Sequence, residues 1–195
     1  AALSMFRVVA VSRTLTPGYV VVYPNREKPA SVTVKAVVVA LLLLSVLLML
    51  IVTIGGWSKL EGMKAVNFVW CLAYLLLAFY IATRWARGLL PIAAALAILL
   101  LLIALVAGIG VTGTSWFDRN SFGFGAPHTL FGGQGLGPDL LGLITLLLAP
   151  IQALLIFFAM MGFAQGWNIE VEVPADEAKR RVQTPRGPRP RPAQA

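Results

Sequence analysis

The sequence predicts an all-α integral membrane protein: a four-transmembrane-helix bundle with a long Gly/aromatic outer loop and small cytoplasmic β elements. Three observations carry that expectation. Of 195 residues 58% are hydrophobic and 12% charged, at a mean hydropathy of +0.83, which is too apolar for a water-soluble domain of this size. Four stretches are free of Asp, Glu, Lys and Arg over a length that spans the ~30 Å hydrocarbon core at ~1.5 Å per helical residue. The net charge of +8 is confined to the segments between and beyond these stretches.

Residues 1–34 form the N-terminal segment, in which 6–12 and 19–23 are β-branched and aromatic runs separated by the turn signal Thr16-Pro17-Gly18, a possible β-hairpin. The membrane domain, 35–163, follows. Its first span, 36–54, begins after Lys35 and is too long for a cleaved signal peptide, and Gly55-Gly56-Trp57 is no small-x-small cleavage site. The second and third spans are 65–83 and 89–109, joined to their neighbours by connections short enough to make each pair antiparallel and adjacent. An outer loop, 110–139, precedes the fourth span, 140–163, whose start is marked by Pro138-Asp139 with Asp139 as the expected N-cap. In the tail, 164–195, residues 168–173 alternate polar with apolar. A basic, Pro-rich end follows that reads as extended and disordered. Topology brings the segments 6–12, 19–23 and 168–173 to one face, where they are expected to form a small sheet or to extend a partner's sheet edge.

Charge sets the orientation. Thirteen of the sixteen Lys and Arg lie in the two termini and the second connection, leaving Lys59, Lys64 and Arg119 on the other face. By the positive-inside rule both termini are cytoplasmic, and the cytoplasmic side carries the whole net charge. Trp57, Trp85, Trp116 and Trp167 each lie just beyond a span, where an indole prefers the headgroup layer; only Trp70 falls inside one.

Within lipid, small residues and isolated polar groups mark the helix faces that meet protein. In the fourth span Gly142, Thr145, Ala149, Gln152, Ala153, Ile156 and Ala159 form such a stripe, with Leu147, Leu154, Leu155 and Phe158 free to face elsewhere. Ala93, Ala97, Ala104 and Gly108 form a weaker one in the third span. Internal packing is the expected use of these stripes, and docking of another subunit the second. Pro150 removes an amide donor and frees the carbonyl of Leu146, so a kink is expected there. Gln152 next to it should hydrogen-bond across helices or to the loosened backbone, in preference to lining a conduction path. Asn67, Trp70, Cys71 and Tyr74 share one face of the second span, which suits packing within the bundle more than contact with a quinone or a lipid headgroup. Cys71 reads as a small apolar filler.

The outer loop is the most individual segment. Trp116, Phe117, Phe122, Phe124 and Phe131 are interleaved with glycines, and so many aromatic rings should bury against the membrane interface, the bundle rim or a partner. Asp118, Arg119 and His128 lie in the same loop, but with no nucleophile in a recognised turn and no metal-ligand cluster they do not make a catalytic site. Gly132, Gly133, Gly135 and Gly137 are not a phosphate-binding fingerprint: Pro138 stands where the last glycine belongs and no strand precedes them. One Cys and one His cannot build an ordinary zinc or haem site, and no cofactor is expected. The basicity belongs to loops and tails, so nucleic-acid binding is not expected either. Lys179, Arg180 and Arg181 are placed to meet anionic lipid headgroups.

The function expected is that of a non-catalytic accessory or scaffolding subunit of a larger membrane complex. It would dock other membrane-protein subunits through Trp116, Phe117, Phe122, Phe124 and Phe131, the helix face of Gly142, Ala149 and Gln152, and the cytoplasmic segments. An alternative is a small homo-oligomeric channel or transporter for water or neutral solutes, lined by Gln152, Ser45 and Asn67. A third is a quinone- or lipid-binding membrane subunit using His128 or Tyr74. Ala-, Leu- and Arg-rich usage with few lysines suits a GC-rich bacterial genome, so the expected site is a bacterial plasma membrane.

Overall fold

The computed structural model describes residues 17–58, 60, 62–109, 129–130 and 132–176. It is mostly helical: β1 (Tyr19–Val22), α1 (Pro29–Gly55), α2 (Lys64–Arg84), α3 (Leu89–Ile109), α4 (Pro138–Ala164) and β2 (Val171–Pro174). All four helices are long and apolar enough to cross a membrane. Each contains one of the four uncharged stretches, because apolar side chains without competing polar groups leave the backbone to satisfy itself by i→i−4 bonds.

The helix ends correct the sequence reading at two places. α1 starts at Pro29, seven residues before the uncharged run, because proline's fixed φ suits the first helical position and its absent N–H has no partner to lose there. Lys35 is therefore inside the helix. α4 likewise starts at Pro138, so its N-cap is Gly137; Asp139 is an acidic residue of the first turn, at the positive end of the helix dipole. α4 continues through Pro150 to Ala164.

The chain forms two compact units, one of them Asn25–Asn168. In that unit α3 packs most closely on α4, while α1 packs on both α4 and α2. The contact between α2 and α3 is slight although only four residues join them, so the expected side-by-side pairing of these two helices is not formed. Small residues decide the partner. Ala93, Ala97 and Ala104 of α3 and Ala149 and Ala159 of α4 are all buried. A β-carbon on Gly108 would lie 3.0 Å from Cβ of Leu146 and 3.2 Å from the Gly142 carbonyl oxygen, so the two backbones approach to glycine distance.

The α4 stripe is broader than its small residues. Leu148 and Leu155, the latter expected to face away, are buried in the same core, whereas Ala153 is exposed. The core runs the length of the bundle through Val34, Val38, Leu42, Val46 and Met49 of α1 and Cys71, Tyr74, Leu77 and Ile81 of α2. Trp167 is also wholly buried: its ring lies against Gly162, where a β-carbon would come within 3.0 Å of it.

In the smaller unit β1 and β2 pair antiparallel, with Tyr19 opposite Pro174 and Val22 opposite Val171. The run 19–23 thus pairs with the C-terminal segment. A hairpin with 6–12 involves residues outside those described. Tyr23 Oη donates to Glu170 Oε1 at 3.2 Å, and the Ala175 amide donates to the Gly18 carbonyl at 2.9 Å, closing both ends of the ribbon. The alternating run 168–173 thus supplies the second strand, as its pattern predicts.

Candidate functional site

Three arrangements in the helical unit bring polar or cationic side chains together. The first is at mid-length of the helices. Tyr74 Oη donates to Gln152 Oε1 at 2.8 Å, Gln152 Nε2 donates to Ser45 Oγ at 2.8 Å, and Ser45 Oγ donates to the Leu41 carbonyl at 2.7 Å. Ser45, Tyr74 and Gln152 are all 0% exposed, so this relay ties α1, α2 and α4 together inside the core. Each side chain has an interhelical partner, which is the condition for burying a polar group without a large desolvation penalty. The loosened backbone at Pro150 is not what Gln152 binds. Trp70, one turn before Tyr74, keeps its indole Nε1 buried without a hydrogen-bond partner among the described residues.

The second arrangement lies at the end where α1 finishes and α2 begins. Asn67 Nδ2 donates to Thr53 Oγ1 at 3.2 Å, and Thr53 Oγ1 donates to the Met49 carbonyl at 2.7 Å. The Asn67 amide borders a cavity of about 360 Å³. Its walls are Met49 and Val52 of α1, Leu60 and Met63 of the connection, Leu148 and Thr145 of α4, and α3 residues from Leu100 to Ala107. Asn67 is the one residue of α2 in this lining. Leu102, Ile103 and Val106, which line it, are 56, 41 and 55% exposed, so its mouth is on the outer surface of the bundle.

The third gathers at the opposite end. Lys35 Nζ donates to the Ala82 carbonyl at 3.1 Å and sits 3.8 Å from the centre of the Trp85 ring, a cation–π contact. Trp85 meets Trp167 edge-to-face at 5.4 Å. Trp85 ends α2 in the left-handed conformation, φ 51°, which costs a non-glycine residue about 1–2 kcal/mol and persists here under the contacts of its ring with Lys35 and Trp167. Arg87 Nε donates to the Phe163 carbonyl at 2.7 Å. Arg26 Nε reaches the Trp167 carbonyl at 3.1 Å, and Asn25 Nδ2 the Gly166 carbonyl at 3.0 Å. These donors satisfy carbonyls at and beyond the C-terminus of α4, where the helix leaves acceptors unpaired and its dipole favours cations.

Of the residues singled out from sequence, Gly142, Ala149 and Gln152 are buried among the chain's own helices. Asn67, Trp70, Cys71 and Tyr74 share the inward face of α2, with Cys71 in the core. Trp116, Phe117, Phe122, Phe124 and Phe131, with Asp118 and His128, lie outside the described residues, as do Lys179, Arg180 and Arg181. Sequence reading did not anticipate the pairing of Ser45 with Gln152 and Tyr74, the Lys35–Trp85 contact or the cavity. Only the first had a signal, three isolated polar residues at similar depth in different spans. Among the described residues no group of three or more His, Cys, Asp or Glu is placed to hold a metal ion. No protein-family model, no curated protein and no solved structure matches the chain.

Proposed function

We propose that the chain is a multi-pass protein of a bacterial plasma membrane, with both termini cytoplasmic, acting as a non-catalytic accessory or scaffolding subunit of a larger membrane complex. One observation carries this reading: the polar side chains at mid-length of the helices are engaged with each other. The Tyr74–Gln152–Ser45 relay fastens three helices, which makes a rigid core and leaves no polar group of that set directed outward. The same burial counts against the homo-oligomeric channel, because Gln152 and Ser45, two of its three lining residues, do not face a neighbouring copy.

Docking would then use surfaces outside the core. The β1–β2 ribbon has two strands among the described residues, and a two-stranded ribbon is marginal by itself, so an added strand from a partner would complete it. The outer-loop aromatics Trp116, Phe117, Phe122, Phe124 and Phe131 are the second surface, and Lys179, Arg180 and Arg181 would meet anionic lipids. Purification of the full chain from its native membrane in mild detergent, followed by native mass measurement, tests the reading. A hetero-complex of fixed stoichiometry that dissociates on Val21→Pro, a change in the middle of β1, supports it. A bare monomer or a single-species oligomer overturns it.

A further inference from the structure

We propose that the cavity walled by α1, α3, α4 and the α1–α2 connection is a lipid site, taking one acyl chain of an anionic glycerophospholipid with its head beside Asn67. The inference rests on the reading of the chain as membrane-spanning. In that setting the mouth formed by Leu102, Ile103 and Val106 opens sideways into hydrocarbon, so the occupant enters from the bilayer.

Size and lining select a single hydrocarbon chain. Water needs two to four polar partners, and the walls offer Asn67 and Thr145, whose Oγ already donates to the Leu141 carbonyl at 2.8 Å. A dry void of about 360 Å³ forfeits dispersion contacts along its whole lining. A helix of a second copy, about 10 Å across with its side chains, is too thick to enter. An acyl chain is thin enough, and the α3 wall from Leu100 to Ala107 gives it roughly 10 Å of apolar contact at ~1.5 Å per residue.

The head is fixed by the polar end of the same cavity. Asn67 uses one N–H on Thr53 and borders the cavity, and the oxygen of its carboxamide is of the type that accepts from a hydroxyl. Lys64, three residues earlier on the same side of α2, carries a charge suited to a phosphate; its Nζ rests 4.5 Å over the Trp57 ring, at the outermost turn of the helix. A phosphatidylglycerol supplies both features, phosphate and hydroxyl, with the chain running inward from them.

The test uses the full chain in phosphatidylcholine vesicles with a trace of phosphatidylglycerol carrying a diazirine in one acyl chain. After photolysis, adducts are mapped by peptide sequencing. Enrichment of several-fold at Met63, Leu100 and Ile103 over the outward-facing Leu72 and Leu76 is expected. Ala107→Trp, which fills the site, should reduce those adducts to the Leu72 level, and Val106→Trp at the mouth should do the same if the first variant does not fold. Asn67→Ala should abolish the preference for the glycerol head over a choline-headed probe. Even labelling of all outward faces overturns the proposal while leaving the membrane reading intact; no labelling at any helix overturns both. Displacement of the label by a polyprenyl alcohol but not by excess phosphatidylglycerol overturns it in favour of an isoprenoid.

Discussion

Removing the Tyr74 hydroxyl should reveal whether the buried relay acts as one unit. Tyr74→Phe leaves the ring in place and strips only the donor that Gln152 Oε1 receives at 2.8 Å, in a residue 0% exposed. A buried acceptor left unpaired costs about 1–3 kcal/mol in water-soluble proteins, whereas interhelical hydrogen bonds in membranes average about 0.6 and reach about 1.7 kcal/mol. With no solvent reaching Gln152, the upper half of the membrane range applies, and the expected loss is about 1–1.5 kcal/mol. Gln152→Leu preserves much of the volume, leaves Ser45 Oγ its bond to the Leu41 carbonyl, and orphans the Tyr74 hydroxyl, for a similar loss. The double variant removes both partners, so its loss should fall short of the sum by about 1 kcal/mol. Equilibrium unfolding of the four proteins by titration with a denaturing detergent, followed by tryptophan emission, measures the cycle. Losses that add to within about 0.3 kcal/mol would refute the relay as a coupled unit.

Three further outcomes follow from other contacts. Gly108→Ile should lower stability by about 1–3 kcal/mol, because its β-carbon meets the α4 backbone and neither helix can yield without separating; the same titration checks it. Lys35→Met should cost about 1 kcal/mol by removing the donor to the Ala82 carbonyl and the cation over Trp85, with a shift in tryptophan emission that Leu43→Met, on the outward surface, does not produce. In a Cys71→Ala background, an impermeant thiol reagent added to intact cells should label Ser58→Cys and spare Gly88→Cys, since the two connections lie at opposite ends of the bundle. The reverse pattern would invert the proposed orientation.

The four long helices were legible because hydropathy reports transfer free energy directly, and four uncharged runs leave little choice of where the helices lie. Their ends were less so. The criterion of an uncharged run stops at Lys35, but helical hydrogen bonding does not, and the side chain of Lys35 turns to a carbonyl and an indole. Contact between helices was harder still. A short connection forces α2 and α3 to be antiparallel, yet it constrains only their ends; along their length α3 follows α4, where Gly108, Ala104 and Ala97 permit the closer approach. The cavity had no such signal, because empty space has no residue code. The buried relay sits between these cases. Ser45, Tyr74 and Gln152 are each conspicuous as polar residues in apolar helices, and burial obliges each to find a partner, but only the rotation and height of three helices decide that they find one another. The general consequence concerns Arg26, Lys35 and Arg87, which the charge count treats as orientation signals. Each also donates to a backbone carbonyl at one end of the bundle, so the residues that would set topology during insertion also hold the finished fold. Replacing all three with glutamine should therefore weaken the fold even in molecules that insert the proposed way round.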